Sequence, residues 1–591
     1  MSEALTRNSK LIDRKFVQYL IPSILMIFAM QFGSFVDGIL VGNMIGSQAL
    51  SATALVVPIL YVIQLPGFAL GVGGSIVIAN LLGKRDIENA KKTFSLSIIV
   101  GMGISIVFAA LAFLISRPIA GLFSQDLIDY SDQYILGYLL TDPLITLALL
   151  IGSFMAVDNN PRLSSLMFII ANVAKVGFEV LFVNTFGDWA TFGAAISTGM
   201  GYLVGLITII FYVRSSKRNL TFSFKVKNGT FLGVIKASST SAINMLLTAI
   251  QMLVVNMFIA KLIINDYDIV AYGLIANMVF MFDLVCGGIL NIIPTLCGLF
   301  YGEKDYFSLR KVTRRIYLIN VIATAVITAF IFIFPNVYSL MFGYDMSEYY
   351  DYFAMLFRIY LISFIPYEIN KFSMNYYPSI EKNIPSLVTV FLRELVIVLP
   401  LTLGLLFSMG LQGYCIACAA TEVSTVIITY IFIFIYEKVR RKECHGIFMF
   451  ERDEFNSFDV SVTNEENSGA IVSESLSKFA LENGVDNRAS QIVGLASEEI
   501  VSNIALYGYK KDKHRYIDVS LKINKDKLLL RIRDDGSPFD PTKYEFDNDE
   551  NYSTSGIQLI SQLVDKMTYM RVLSLNNTIF EINVGGKVDG N

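Results

Sequence analysis

The stretch that decides the fold runs from Pro22 to Ile59 and has the sequence PSILMIFAMQFGSFVDGILVGNMIGSQALSATALVVPI. It is apolar almost throughout, and its one charged residue is Asp37. A bilayer core requires about 20 apolar residues per helix, so the stretch belongs to a first membrane span and the start of a second. A carboxylate within a span is costly and usually faces an internal cavity. Asp37 is therefore a candidate functional residue.

Composition separates the chain into two regions. Its 591 residues are 54% hydrophobic and 16% charged, with a mean hydropathy of +0.56 and a formal net charge of -3. These values are far from those of soluble proteins, yet the last ~150 residues have an ordinary soluble composition. We predict a membrane domain over residues 1–440, a linker over 441–455 and a separate domain over 456–591.

Twelve stretches are long and apolar enough to cross a bilayer. They begin near Phe16, Leu50, Thr93, Gln133, Arg162, Ala190, Gly233, Ile269, Ile316, Tyr352, Ile384 and Leu411. An internal repeat is also visible, because LLGKRDIENAKKT from Leu81 resembles LFYGEKDYFSLRKVT from Leu299. The repeat predicts two halves of six spans each, related by a pseudo-two-fold axis along the membrane normal, with a central cavity between them.

Lysine and arginine in the loops predict the orientation of the chain. Basic residues cluster before span 1 and after spans 2, 6, 8 and 12, whereas the opposite loops hold little beyond Arg117 and Lys261. By the positive-inside rule both termini are cytoplasmic, in a multi-pass protein of the cell membrane. The polar C-terminal domain then lies in the compartment that contains ATP.

The opening stretch resembles the first span of multidrug and toxic compound extrusion (MATE) transporters, which typically has a Pro, an Asp, a Gly pair and then Ala-Leu-Ala before a second Pro. The segments GVGGSIVIANLLGKRDIENAKK and FGAAISTGMGYL resemble that family's second and sixth spans. The resemblance covers about residues 10 to 440. It implies an all-α membrane domain that exports drugs or organic cations in exchange for protons or sodium, by alternating access between two six-helix bundles.

The same resemblance implies an ion site. In the family the first-span Asp and an Asn-x-x-x-Asp motif on span 5 form this site, and the matching residues here are Asp37, Lys175 and Glu179. The i, i+4 spacing puts Lys175 and Glu179 on one helix face. Lys175 departs from the family's Asn, and its ammonium would displace a sodium ion, which favours protons. A static salt bridge within the bundle is the alternative.

Other charged residues in the spans are weaker candidates than Asp37. They are Asp142, Asp283, Glu368, Arg393, Glu394 and Glu422. Because Arg393 and Glu394 are adjacent in sequence, they point in different directions on a helix, and we expect each to find its partner elsewhere. Asp283 in span 8 and Glu422 in span 12 would line the second half.

The C-terminal domain alternates between strand and helix patterns. FDVSV, YIDVSLKI and KLLLRIRD are strand-like, and MTYMRVLSLNNTIFEINV supplies two closing strands. Helices are predicted over 465–481, 488–508 and 556–567. An α/β sandwich with helices on one face of the sheet fits this order.

Three short motifs of this domain suit a nucleotide site. Glu499 and Asn503 share a helix face, where an amide oxygen could hold Mg²⁺ while a carboxylate deprotonates a hydroxyl. In DDGSPFDP, Asp534 could accept the amine of adenine, and Gly536 lets the backbone come close. Gly556 lies at a helix start, where free amides favour phosphate.

In this order the motifs resemble the GHKL ATP-binding fold, most closely the anti-sigma-factor serine/threonine kinases. The resemblance implies ATP and Mg²⁺ as cofactors, with Glu499 as general base, Asn503 as the Mg²⁺ ligand and Asp534, Gly536 and Gly556 as nucleotide contacts. This chain has one glycine where the third motif usually has two or three. ATP binding is therefore a firmer expectation than turnover.

Two functions remain open at this point. The first is an efflux antiporter with an ATP-binding regulatory domain that phosphorylates a protein or senses ATP. The second is a membrane receptor-kinase, in which the transporter-like half senses a ligand and the tail phosphorylates a cytoplasmic protein. The expected partners are small organic cations or drugs, the lipid bilayer and such a protein substrate, with no nucleic acid. A sensor histidine kinase is disfavoured, because only His445 and His514 are present.

Overall fold

The computed structural model divides the chain into two compact units. One unit is Gln18–Phe450, and the other joins the chain up to Val17 with Glu451–Asn591. The structure describes residues 6–122, 127–215, 218–223, 228–262, 266–341, 349–439, 444–451, 456–509, 514–524, 527–543 and 553–584. The predicted linker over 441–455 lies partly outside these ranges, and the predicted domain boundaries stay predictions.

The first unit is helical. Its α-helices are α1 Lys10–Met44, α2 Ser47–Gly83, α3 Ile87–Ala120, α4 Ile128–Val157, α5 Pro161–Thr185, α6 Ala190–Gly205, α7 Thr208–Val213, α8 Asn228–Leu262, α9 Asp266–Phe282, α10 Gly288–Leu290, α11 Ile293–Gly302, α12 Tyr306–Ile333, α13 Pro335–Met341, α14 Tyr350–Leu361, α15 Phe364–Ser379, α16 Asn383–Phe391 and α17 Val398–Val439. The first turns of α1 belong to the other unit. Two π-helical segments, Asp283–Gly287 and Leu392–Val396, interrupt the α-helical pattern.

Eleven candidate membrane spans occur within the part of the chain that the structure describes. The last of them covers 57 residues, Asn383–Val439, which is far longer than one crossing requires. Gly410 breaks this segment with a φ of 61° and a ψ of -144°, a conformation that glycine adopts readily. Counted on both sides of Gly410, the segment supplies two spans, in agreement with the predicted twelve.

The internal repeat is confirmed at the loops that follow α2 and α11. Arg85 and Lys304 both have positive φ, at 63° and 54°. The next residue in each copy, Asp86 or Asp305, caps the following helix by accepting a hydrogen bond from a backbone amide three residues on. One local structure is therefore built twice, once in each half.

Glycine lets these two loops approach each other. A Cβ added at Gly83 would lie 2.3 Å from the carbonyl oxygen of Leu299, and one added at Gly302 would lie 2.3 Å from that of Asn80. Each repeat thus places its glycine against the backbone of the other repeat. Small residues permit this close approach, as they do in membrane helix packing generally.

Glycines of the FGAAISTGMGYL segment bring α6 against α5 in the same way. A Cβ at Gly201 would lie 2.5 Å from the carbonyl oxygen of Ala171 and 2.8 Å from Cβ of Lys175. A Cβ at Gly205 would lie 2.7 Å from the carbonyl oxygen of Met167. The sequence feature that suggested a family span is therefore what allows α6 to support the helix that carries Lys175 and Glu179.

The second unit contains an antiparallel five-stranded sheet in the order β3-β4-β5-β7-β6. Its strands are β3 Asn456–Thr463, β4 Tyr516–Asn524, β5 Lys527–Asp534, β6 Lys566–Val572 and β7 Leu575–Asn583, and its helices are α18 Ser468–Glu482, α19 Asn487–Asn503 and α20 Ser553–Leu563. A π-helical turn, Ile504–Gly508, extends α19. Two short strands, β1 Cys444–His445 and β2 Phe450–Glu451, pair with each other before this sheet begins.

One face of the five-stranded sheet packs against the helices. Alternate residues such as Val460, Val519 and Ile532 share a buried apolar core with Val472 of α18 and Val493 of α19. This two-residue alternation is what the strand patterns predicted. The predicted α/β sandwich, with its helices on one sheet face, is confirmed.

We predict that Gly201→Ala destabilises the membrane unit, because its Cβ would enter the backbone of α5. Gly177→Ala is the matched control, since nothing lies within 4 Å of a Cβ at that position of α5. The thermal midpoint of the detergent-solubilised protein should fall by several degrees for Gly201→Ala. It should stay level or rise for Gly177→Ala, because alanine is favoured over glycine in a helix by about 1 kcal/mol. Equal midpoints for the two variants would contradict the packing described for α5 and α6.

Candidate functional site

The structure brings together the three residues predicted for the ion site. Asp37 lies on α1, and Lys175 and Glu179 lie on α5. The Lys175 ammonium is 3.5 Å from Asp37 Oδ1, and the Tyr134 hydroxyl donates a hydrogen bond of 3.2 Å to Asp37 Oδ2. The side chains of Lys175 and Asp37 are 9% and 15% exposed. Asp37 is therefore a nearly buried carboxylate held by one cation and one phenol.

Glu179 has a different environment from Asp37. It is fully buried, and neither of its carboxyl oxygens has a hydrogen-bond partner among the described residues. The charged groups that act on it are those of Asp37 and Lys175. Two carboxyl groups thus share one ammonium, and ionising both would leave a net negative charge away from water. A proton on one carboxyl group would neutralise the cluster.

A glycine on α1 explains how α1 reaches α5 at this point. A Cβ added at Gly33 would lie 1.9 Å from the side-chain oxygen of Asn172. Gly33 is four residues before Asp37, and Asn172 is three residues before Lys175, so this contact lies one turn from the ion pair on both helices. Close approach at Gly33 therefore sets the separation between Asp37 and Lys175.

Asp142 is also buried in the first half, but its oxygens have partners. Ser105 donates a hydrogen bond of 2.7 Å to Asp142 Oδ2, and Thr146 donates one of 3.4 Å to Oδ1. A carboxylate satisfied in this way links α3 to α4. It contrasts with Glu179, and the comparison supports the higher rank of the Asp37 cluster.

The second half contains a denser set of charges. Lys371 forms an ion pair with Asp283, and the Asn320 amide donates a hydrogen bond of 3.2 Å to Glu368. The ring of Tyr367 receives both cations of this half, with Lys371 at 5.0 Å and Arg393 at 4.6 Å from its centroid. Three charged residues sit at π-helical segments, which are frequent at functional sites: Asp283, Arg393 and Glu394.

The expectation that Arg393 and Glu394 do not pair is wrong. The Arg393 guanidinium contacts the Glu394 carboxylate and also lies 2.8 Å from Glu422 Oε1. Asn370 donates a further hydrogen bond of 2.8 Å to Glu422 Oε2. Arg393 and Glu394 lie in the π-helical segment, whose wider turn departs from the α-helical directions on which the expectation rested.

In the second unit, the first and third motifs meet. Asn503 Nδ2 donates a hydrogen bond of 2.8 Å to Glu499 Oε1, as the shared helix face predicts. A Cβ added at Gly556 would lie 2.3 Å from the carboxyl carbon of Glu499, so the third motif passes directly over the first. Glu498, the neighbouring acid, is exposed.

The second motif joins the same region through the turn after α19. Ser537 donates its backbone amide to the carbonyl oxygen of Gly508 over 2.8 Å, and a Cβ at Gly536 would lie 2.6 Å from that oxygen. Asp534 ends β5 and accepts hydrogen bonds from the Gly536 amide at 2.7 Å and the Asn576 amide at 2.9 Å. The three predicted motifs are therefore neighbours in the fold.

Asp534 is a buried acid with a shifted titration. Its residue is 3% exposed. Burial raises the pKa of Asp534 to about 6, and the hydrogen bonds from Asn576 and Gly536 oppose that rise. The carboxylate is consequently a poorly solvated acceptor at neutral pH, suited to an amine donor such as that of adenine.

Sequence reasoning missed three residues of these sites. Tyr134 gave little signal, since a tyrosine in a span is most often a packing residue. Lys371 was detectable, because an ammonium within an apolar run needs a partner. Asn576 lies on β7, far from Asp534 in sequence, and only the β5–β7 pairing brings it close.

Two family models match the chain. The model described as MatE matches residues 22–181 and 241–404, which include Asp37, Lys175 and Glu179. The model described as a histidine kinase-like ATPase domain matches residues 463–580, which include Glu499, Asn503 and the second and third motifs. The predicted α/β domain of GHKL ATPase type is thereby confirmed.

Individual relatives agree with the first match. Multidrug export protein MepA of Staphylococcus haemolyticus (strain JCSC1435) is 26% identical over 276 residues, which cover 45% of this chain and 59% of that protein. The MepA of Staphylococcus aureus (strain MRSA252) is 24% identical over 273 residues, with the same coverage. The chain thus spans 59% of the length of these curated relatives.

Solved structures show the fold of the helical unit. A MOP superfamily transporter from Pyrococcus furiosus matches with a TM-score of 0.66 and 17% identity, covering 74% of this chain and 100% of that one. The MATE multidrug transporter DinF-BH, in complex with rhodamine 6G, matches with a TM-score of 0.66 and 21% identity, covering 74% and 99%. The helical unit therefore has a MATE transporter fold, in a multi-pass membrane protein.

The raised pKa of Asp534 predicts a pH dependence of stability. The folded state holds this proton more tightly than the unfolded state, so stability should fall as the pH rises from about 4 through about 6. The loss should be about 2 kcal/mol. Urea unfolding of the second unit, followed within the full-length protein by hydrogen exchange of its strands, measures this dependence. Asp534→Asn should flatten this part of the pH profile, and an unchanged profile in that variant would assign the dependence to another group.

Proposed function

We propose that this chain, which belongs to the MatE family, is a proton-coupled antiporter that exports organic cations and carries an ATP-binding regulatory domain. The observation that supports the antiporter is the Asp37, Lys175 and Glu179 cluster, in which a buried carboxyl group lacks a hydrogen-bond partner among the described residues. A static salt bridge requires only one acid for one ammonium. The second acid is the feature that a coupling site explains.

The cluster favours a proton over a sodium ion. A sodium site needs several oxygen ligands around the metal, whereas here an ammonium already lies 3.5 Å from Asp37. Lys175 would repel a second cation, yet it leaves one carboxyl group free to gain and lose a proton. Protonation would change the charge that α1 and α5 carry between them. Such a change gives the two helices different preferred arrangements in the loaded and unloaded states.

The substrate class rests on relatives and on charge. MepA is named as a multidrug export protein, and DinF-BH was solved with the dye rhodamine 6G. In this chain, release of the proton leaves an excess of carboxylate in the first half, which would attract a cation. We therefore propose organic cations as substrates. We also propose a cell-membrane location with both termini cytoplasmic, as the distribution of lysine and arginine predicts.

For the second unit we propose binding of ATP with Mg²⁺. The residues present fit these groups, because Gly536 and Gly556 leave room that a Cβ would fill, and Asn503 and Glu499 offer the oxygen ligands that Mg²⁺ prefers. Bound Mg·ATP would supply an activated phosphoryl group. Asp534 would orient the base, Asn503 would hold the metal, and Glu499 would take the proton from a serine or threonine hydroxyl of a cytoplasmic protein.

We predict that Asp37→Asn and Glu179→Gln each abolish proton release on substrate addition, because each removes a carboxyl group of the cluster. Proteoliposomes loaded with a pH-sensitive dye and given rhodamine 6G measure this release. Asp142→Asn is the matched control, a buried acid whose oxygens have hydroxyl partners, and it should retain coupling if the protein folds. Normal proton release by Asp37→Asn would exclude this cluster as the coupling site.

A second prediction concerns Glu499. A general base typically contributes 10²- to 10⁴-fold to rate, so Glu499→Ala should reduce ATP turnover or phosphate transfer at least about a hundredfold while Mg·ATP still binds. Glu498→Ala, at the exposed neighbouring acid, should leave turnover unchanged. Phosphate release and phosphoprotein formation from labelled ATP are the measurements. Equal turnover in the two variants would remove Glu499 from the proposed role.

A further inference from the structure

The chain before Val17 forms part of the same compact unit as the ATPase-like domain. Its basic residue Arg7 is nearly buried, with a side chain 3% exposed. The guanidinium lies 3.7 Å from Asp459 on β3 and 3.6 Å from Asp518 on β4. A charge that is removed from water in this way requires partners, and the two carboxylates provide them.

These carboxylates lie on the sheet face that the helices leave uncovered. Residues alternate between faces along a strand, and Val460 and Val519 point into the helix-covered core, so Asp459 and Asp518 point the other way. The backbone amide of Asn8 donates a hydrogen bond of 3.0 Å to Ser461 on the same face. The N-terminal segment thus covers polar groups of the open sheet face.

The same segment extends to the second nucleotide motif. Arg14 lies 3.2 Å from Asp535, whose side chain is 4% exposed, and Arg515 reaches the same carboxylate oxygen at 3.5 Å. Lys15 Nζ donates a hydrogen bond of 3.2 Å to the carbonyl oxygen of Ser574, at the turn before β7. Asp535 stands between Asp534 and Gly536, the two residues proposed to contact adenine. The N-terminal segment is therefore linked to that loop by a direct ion pair.

We propose that residues 7–15 are a working part of the nucleotide-binding domain, and that this docked segment and Mg·ATP stabilise each other's binding. The inference rests on the proposed nucleotide function. The partner of the open sheet face is this chain's own basic N-terminal segment, recognised by the carboxylates of Asp459, Asp518 and Asp535. Docking holds the loop after β5 in place, and the basic side chains add positive potential for a polyanionic ligand.

The linkage has a consequence for the membrane unit. The docked residues from Lys10 onward are the first turns of α1, and that helix continues to Met44 and carries Asp37. Coupling free energies are reciprocal, so a ligand that strengthens docking of the segment is in turn bound more tightly when the segment is docked. ATP would in this way act on the start of the helix that bears the proton site.

The experiment measures the Kd for Mg·ATP on the full-length protein in lipid nanodiscs. Arg14→Ala should weaken binding about fivefold or more, which is the lower range of measured couplings between sites. Arg14→Lys keeps the charge and should restore part of the loss. Lys527→Ala is the matched control, because it removes an exposed cation at the far end of β5, about 23 Å of strand from Asp534, and should change Kd less than about twofold.

A second measurement reads the linkage in the other direction. Mg·ATP, but not Mg²⁺ alone, should slow hydrogen exchange of the amides in residues 7–15 of the unmodified protein. Unchanged Kd values in Arg14→Ala, together with unchanged exchange, would overturn the inference while leaving the nucleotide function intact. Absence of Mg·ATP binding by the unmodified protein would overturn both.

Discussion

The structure depends on one electrostatic constraint, which is that charge within a membrane span must be neutralised by a nearby group. Asp37 meets this constraint through Lys175 and Tyr134. The arrangement requires α1 to touch α5 at Gly33 and α6 to touch α5 at Gly201, because larger residues would separate these helices. Backbone packing and ion chemistry are therefore one feature of the first half, since the glycines set the distances at which the charges meet.

The two halves share a backbone plan and differ in charge. Their common loops retain the same glycine, the same positive φ and the same aspartate cap. Within the spans, however, the first half has a sparse cluster with one unpartnered acid among the described residues, whereas the second half pairs Asp283 with Lys371 and Arg393 with two glutamates. The repeat thus preserves what closes the bundles, while the interior charges have diverged. This division assigns coupling to the first half.

Much of this architecture could be predicted from the sequence, because apolar length, loop glycines and strand alternation are local signals. The span count, the repeat and the order of the tail elements all follow from such signals. The pairing of Arg393 with Glu394 could not be predicted from α-helical geometry, since it depends on a π-helical segment. Arg7 and Asn576 were missed for another reason, which is that their partners are remote in sequence and meet only through sheet pairing and docking.

The account's central claim is that the Lys175 ammonium takes the place a metal cation would occupy, so that a proton is the ion exchanged at Asp37 and Glu179. The most direct measurement is rhodamine 6G transport in proteoliposomes under a proton gradient alone and under a sodium gradient alone at equal pH on both sides. The account predicts transport with the proton gradient and none with the sodium gradient. Transport driven by sodium alone would contradict it.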